Sequence, residues 1–130
     1  MTRLARDPRL PLEEDEQRTV VQWLAANRIL FTHVPNGGQR SRIEAAIMNG
    51  LGVQAGVPDL LIFDPPPALP TLRAAAVEMK RQKGGVVSPQ QKDWLRRLDG
   101  RMWATAVCQG ADEAIRQLEA WGYGNRKEVP

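Results

Sequence analysis

The chain of 130 residues has one cysteine, Cys108, and one histidine, His33. A lone cysteine forms no intrachain disulfide, and with a single histidine there are too few thiolates and imidazoles for a zinc cluster. A reducing cytoplasm suits that composition. No run of about 18 apolar residues exists, so no membrane span is expected. The first residues, Met1 to Leu12, include basic side chains but no apolar run after them, unlike a signal peptide. No Gly-Lys-Ser/Thr follows the glycines at Gly52 and Gly56, so a phosphate-binding P-loop is absent. There is no internal repeat. A large charge excess is also missing: 18 basic against 15 acidic residues leave a net +3. The pI near 9.5 permits a nucleic-acid partner without demanding one.

What is present is ordinary for a soluble globular domain. The hydrophobic fraction is 42% and the charged fraction 25%, enough apolar residues for one core at this length. Residues 1–11 are polar and broken by Pro8 and Pro11, which predicts a flexible arm. Residues 12–122 carry the periodic segments of a single domain, and 123–130 a flexible tail.

The segment from Leu12 to about Asn27 is helical in pattern, with Val20, Val21 and Leu24 on one face and Trp23 at its margin. Glu13 aligns best with that face, with Glu14 and Glu16 to either side. Acidic residues in a first turn also suit the helix dipole, which alone would explain them. Ile29 to Val34 reads as a strand ended by Pro35-Asn36-Gly37-Gly38. His33 at its end is better explained as a packed or hydrogen-bonded residue than as a catalyst. A short helix from Ile43 to Asn49 follows, then a strand over Leu60–Phe63. The proline-rich stretch Pro65–Pro70 cannot continue a central strand. Leu72–Lys80 is the next strand, expected antiparallel to the previous one. Ser88, Pro89 and Gln91 form an N-cap, N1 and N3 signature, so capping by itself accounts for Gln91. A helix to about Leu98, a strand over Met102–Val107 and a helix over Ala111–Trp121 complete the chain. Strand, helix and strand between residues 74 and 107 predict a crossover joining parallel strands. The fold class is therefore α/β: a mixed sheet flanked by helices. The four tryptophans, Trp23, Trp94, Trp103 and Trp121, fall at core positions of these elements rather than on a base-stacking platform.

The charges at the strand ends stand out against this frame. Asp59 opens one apolar strand, and Glu78 and Lys80 close the next. Side chains at i and i+2 of a strand share a face. Two carboxylates on adjacent strands, with a main-chain carbonyl between them, suit a hard cation such as Mg2+ or Mn2+. A lysine beside them can orient or activate water and offset charge, as phosphodiester hydrolysis requires. Basic residues Arg40, Arg42, Arg81, Lys83 and Lys92 are candidates to hold a nucleic-acid backbone, in loops where surface charge is also commonplace.

At these residues the sequence resembles the Pro-Asp…Glu-x-Lys (PD-(D/E)XK) nucleases, and among them the VRR-NUC, or virus-type replication-repair nuclease, group. The resemblance rests on Gly56-Val57-Pro58-Asp59, Glu78-Met79-Lys80, Ser88-Pro89-Gln90-Gln91, His33-Val34-Pro35-Asn36 and the helix beginning Gln91-Lys92-Asp93-Trp94-Leu95. It implies a restriction-endonuclease-like fold with an αβββαβ core and a metal-dependent DNA endonuclease. By it, Asp59 and Glu78 are metal ligands with the Met79 carbonyl as a third, Lys80 is the catalytic lysine, and Gln91 stands beside the site. A first-helix glutamate belongs to the pattern. Glu13 is chosen for it, while Glu14 and Glu16 compete. Asn36 is a further candidate for nucleic-acid contact. Branched DNA, a Holliday junction or a flap, is the implied substrate structure, and a homodimer the implied assembly. The alternative is a catalytically silent DNA-binding or assembly module that keeps the fold.

Overall fold

The computed structural model describes residues 12–35 and 41–124. The expectations placed on residues 1–11, on Asn36 and Arg40, and on 125–130 lie outside those residues. The elements run α1 (Glu13–Ala26), β1 (Phe31–His33), α2 (Arg42–Gly50), β2 (Leu60–Ile62), β3 (Ala74–Lys80), α3 (Pro89–Asp99), β4 (Trp103–Gln109) and α4 (Ala111–Ala120). One four-stranded sheet has the order β1-β2-β3-β4. The β1–β2 and β2–β3 pairs are antiparallel, and β3–β4 is parallel across the α3 crossover. This is the expected helix-flanked mixed sheet, with α2 inserted between the first two strands and α4 added after the last.

β3 is the axis of the molecule. All seven of its residues are buried, because it has a strand on either side and helices over its faces. Its apolar part, Ala74 to Val77 and Met79, joins Leu60 and Ile62 of β2, Ala104 and Cys108 of β4, Val20 and Leu24 of α1, and Ala114 and Leu118 of α4 in the core. A fully buried side chain of the Val or Leu type contributes about 1.5–3 kcal/mol. The strands at the sheet's β1 side are shorter than their sequence patterns suggested: β1 keeps only Phe31–His33 and β2 ends at Ile62, leaving Phe63 45% exposed. Conversely, β4 runs on to Gln109, because β3 offers it a continuous parallel partner through Lys80↔Gln109.

Three of the tryptophans, Trp23, Trp94 and Trp103, are partly buried, Trp23 against the core, and Trp121 is buried. Trp94 also carries the Arg97 guanidinium 4.9 Å from its ring centroid. α3 starts as its sequence predicts: Ser88 Oγ accepts from Gln91 N, and the Gln91 side chain answers Ser88 N. α2 has a similar capping box from Ser41 and Glu44, yet none of its residues is buried. Its apolar row, Ile43, Ile47 and Leu51, points to solvent at 74%, 58% and 78% exposure.

Gly52 and Gly56 take left-handed backbone with φ of 99° and 95°, as turn glycines ahead of β2 should. Gly56 has a second reason to lack a side chain. A Cβ there would lie 2.6 Å from the backbone carbon and oxygen of Gln90. The turn that leads into Pro58-Asp59 is therefore seated directly on the first turn of α3, and two distant motifs are brought to one corner of the sheet.

Candidate metal and nuclease site

That corner is built from the start of β2, the end of β3 and the start of α3. Asp59 precedes β2, and its Oδ2 accepts from the Met79 main-chain N–H at 2.8 Å. The carboxylate takes the place of a strand carbonyl, extending the β2–β3 pairing by one rung beyond Leu60↔Val77. Glu78 and Lys80 share a face of β3, as the i, i+2 spacing requires. Lys80 Nζ lies 3.2 Å from Glu78 Oε2. Both side chains are nearly inaccessible, at 3% and 9% exposure for the residues.

Gln91 joins them. Its Nε2 donates to Glu78 Oε2 at 2.9 Å, and its Oε1 accepts from Lys80 Nζ at 3.1 Å and from Ser88 N at 2.9 Å. The same amide thus completes the helix cap and clamps the two charged residues of β3. The capping explanation and the site explanation hold together. Gly85 lies across the Lys80 stem, where a Cβ would stand 2.8 Å from Lys80 Cβ.

The electrostatics of the pair are unfavourable to two negative charges. The Glu78 carboxyl is pushed up to about 8, first by burial and then by the Asp59 carboxylate, against the pull of Lys80. A hydrogen bond with Asp59 favours the protonated form further. Glu13 is half-buried in the first turn of α1. Its carboxyl is also raised, first by burial and then by Asp59, while Lys80 and Arg81 pull it down. Glu13 is therefore within reach of the charges at that corner. Glu14 lies elsewhere, along an open surface depression of about 360 Å³ with Gln17, Arg18, Val21 and His33.

Glu16, which the apolar-face argument set aside, is the most buried of the first-turn acids, at 6% exposure. It continues the Val20–Leu24 row back by one turn. Its oxygens are bonded outside the Asp59–Glu78 pair: Oε1 accepts from Ala111 N and Oε2 from Gln82 Nε2, each at 2.9 Å. Periodicity could show that position 16 lies near the core, but not that a helix start 95 residues away would meet it.

His33 is the hydrogen-bonded residue its sequence setting suggests. Its Nδ1 is 2.9 Å from the Asp59 main-chain oxygen and 3.0 Å from the Gln17 amide. A protonated Nδ1 donates to the Asp59 carbonyl, whereas an unprotonated one accepts from the Gln17 Nε2. Of the candidate basic contacts, Arg42, Arg81, Lys83 and Lys92 are exposed; Arg42 opens α2 and Lys92 lies in α3.

Among the described residues no three His, Cys, Asp or Glu side chains converge closely enough to hold a metal between them. The chemistry of the pair nevertheless fits a hard divalent cation. Both groups offer carboxylate oxygen, they repel one another, and Met79 lends main-chain polarity between them. A cation would relieve the Asp59 repulsion that, after burial, raises the Glu78 carboxyl.

Comparison with known proteins bears on the fold and the family. Among curated proteins, none matches the chain. A solved structure described as a VRR_NUC domain protein superposes with a TM-score of 0.69 at 24% identity, covering 85% of this chain and 87% of that one. The likeness carries the fold. The family model for the VRR-NUC domain matches residues 12–112, which include Glu13, the Asp59–Glu78–Lys80 corner and all of α3. VRR-NUC domains are nucleases, and DNA is the substrate that class implies. By that match over most of its length, the chain belongs to the VRR-NUC family.

Proposed function

We propose that the protein is a Mg2+- or Mn2+-dependent DNA endonuclease that hydrolyses phosphodiester bonds at the Asp59–Glu78–Lys80 corner. The observation that carries this reading is the crowding of two carboxylates, one of them buried, beside a lysine that Glu78 and Gln91 hold in place. Asp59, Glu78 and the Met79 carbonyl would hold the cation, with Glu13 adding charge from α1. The bound ion would polarise the scissile phosphate and lower the pKa of an attacking water. Lys80, held by hydrogen bonds to Glu78 and Gln91, orients that water and offsets the charge that grows on the phosphoryl oxygens. Gln91 keeps Lys80 and Glu78 in register with each other, since one rigidly capped amide touches both. Arg42, Arg81, Lys83 and Lys92, with Asn36 and Arg40, hold the DNA backbone.

A single site cuts one strand at a time, so symmetric cutting of a branched substrate needs two copies. The apolar row on α2, spaced by four residues, forms one ridge of the kind that packs against its own copy. It supports a homodimer. The buried thiol of Cys108, pushed up to about 12 by its burial and by Glu113, suits a cytoplasmic setting. The test is a panel of labelled single-stranded, duplex, flap, splayed-arm and four-way-junction DNA with each metal. Cleavage of a branched substrate by wild type, and its loss in Glu78→Ala and Lys80→Ala, is the expected result. Equal cleavage by those variants, or none by wild type, rejects the reading.

A further inference from the structure

Only three charged side chains are buried among the described residues: Glu78 and Lys80 of the site, and Glu16. Glu16 touches neither of the other two. Its Oε1 accepts from Ala111 N, the first residue of α4, at 2.9 Å. The N-cap of that helix, Gly110, has no side chain to do so, and α1 thus supplies the cap from outside. Its Oε2 accepts from Gln82 Nε2, two residues beyond Lys80. Gly110, in turn, donates its N–H to the Lys80 carbonyl at 2.9 Å. The space between these groups is closed: a Cβ on Gly110 would lie 3.0 Å from Glu16 Oε2 and 2.9 Å from Gln82 Cγ, at a φ of 93°.

Glu16 therefore ties the first turn of α1 to Gln82, two residues past Lys80, and to the start of α4, whose Gly110 holds the Lys80 carbonyl. One turn earlier on the same helix is Glu13, close enough to the site to feel the charges of Asp59 and Lys80. Residues three apart on a helix are neighbours on its surface. Along its apolar face, Val20 and Leu24 pack α1 into the core with β3 and α4. The N-cap of α1, Leu12, makes no side-chain cap bond, and the Gln17–His33 contact ties the helix toward β1.

We propose that Glu16 is a positioning residue that sets the reach of Glu13 to the Asp59–Glu78 carboxylate pair, and thereby the affinity of the site for a divalent cation, without touching cation or DNA. This rests on the metal-site reading above.

The experiment is calorimetric titration of the full chain with Mn2+, together with thermal unfolding and DNA cleavage kinetics. Variants are Glu16→Ala, Glu16→Gln, Gln82→Ala and Glu13→Gln, and the double change of Glu13→Gln with each of the first two. Loss of the outer support of a metal site commonly costs about 10–100-fold in affinity. Glu16→Ala is expected to weaken Mn2+ binding about tenfold and to lower kcat with little change in KM for DNA. Glu16→Gln, which keeps an acceptor for Ala111 N, recovers most of the loss. In the Glu13→Gln background, neither Glu16 change weakens Mn2+ binding further. Wild-type Mn2+ affinity in folded Glu16→Ala, or a loss that adds in full to that of Glu13→Gln, overturns the proposal. If Glu16→Ala does not fold, Gln82→Ala decides it, since it removes the Glu16 Oε2 bond alone; unchanged affinity there overturns the proposal. A wild-type chain that binds no Mn2+ rejects the metal-site reading as well. Binding that ignores Glu16 rejects this proposal alone.

Discussion

Glu16 and Glu78 are equally hidden from water, at 6% and 3% exposure, but they are buried in opposite ways. Glu16 meets only donors: a helix-start N–H and a side-chain amide. Its two oxygens serve those donors as acceptors at the start of α4. Glu78 meets donors too, from Gln91 and Lys80, but also a second carboxylate. Burial without a like charge makes an anchor. Burial beside a like charge raises a carboxyl even with Lys80 at hand and, on the reading proposed above, readies it for a divalent cation.

The largest effects should separate the two at the level of turnover. Lys80→Met and Glu78→Ala are expected to lower the cleavage rate by on the order of 10²–10³-fold or more, measured with labelled DNA at saturating Mn2+. A comparable loss in Glu16→Gln would erase the distinction.

The pH dependence of metal binding comes next. The Glu78 carboxyl is raised from 4.5 to about 8. Without metal, its contribution to stability is full below its unfolded pKa and is lost as pH rises through about 8. A cation binds the ionised form, so binding below that range expels a proton. Apparent Mn2+ affinity should climb by up to about tenfold per pH unit toward 8 and then level off. Calorimetry in buffers of different ionisation enthalpy counts the released proton; a release of none near pH 6.5, taken as roughly neutral assay conditions, contradicts the crowded-pair picture.

The neutral isosteres should shift stability with opposite signs. At about pH 9, above the raised Glu78 value, metal-free Glu78→Gln should melt above wild type, because the amide cannot ionise beside Asp59. Glu16→Gln should melt below it by several degrees, having exchanged a charge-assisted cap worth about 1–2 kcal/mol for a weaker one. Scanning calorimetry without metal reads both.

The smallest effect marks the solvent-exposed reference. Asp93 pairs with Arg96 and Arg97 on the outer face of α3, with Arg96 75% exposed at its side chain. Arg96→Ala should change stability by less than about 0.5 kcal/mol, as read from chemical denaturation. A larger loss would mean that exposure is a poor guide to how this protein uses its charges.

Much of the site could be read from local sequence because each part is a local device. Asp59 opens a strand, Glu78 and Lys80 sit two apart in another, and Ser88 to Gln91 is a self-contained cap. The fold followed from apolar runs and glycine or proline punctuation, down to the parallel β3–β4 pair. The features that escaped depend on partners distant in sequence. The carboxylate of Glu16 meets Ala111, and Gly56 lies against Gln90, neither of which any window of the chain contains. Periodicity likewise marked Ile43 and Ile47 as one face of a helix, but it does not say whether the chain has anything to lay upon that face.

Asp59 Oδ2 takes the Met79 N–H in place of a strand carbonyl, and this has a consequence for observing the protein at work. Met79 lies in the strand whose seven residues are all buried, where amides exchange with solvent hydrogen slowly because local opening is rare. Its own amide is the exception in kind, since its acceptor is a side chain belonging to the site. Its exchange rate and its chemical shift thus register the state of one carboxylate oxygen, while its neighbours in β3 register the integrity of the sheet. One backbone hydrogen becomes an internal gauge of how firmly Asp59 is held, legible by isotope exchange without any substrate or label at the site.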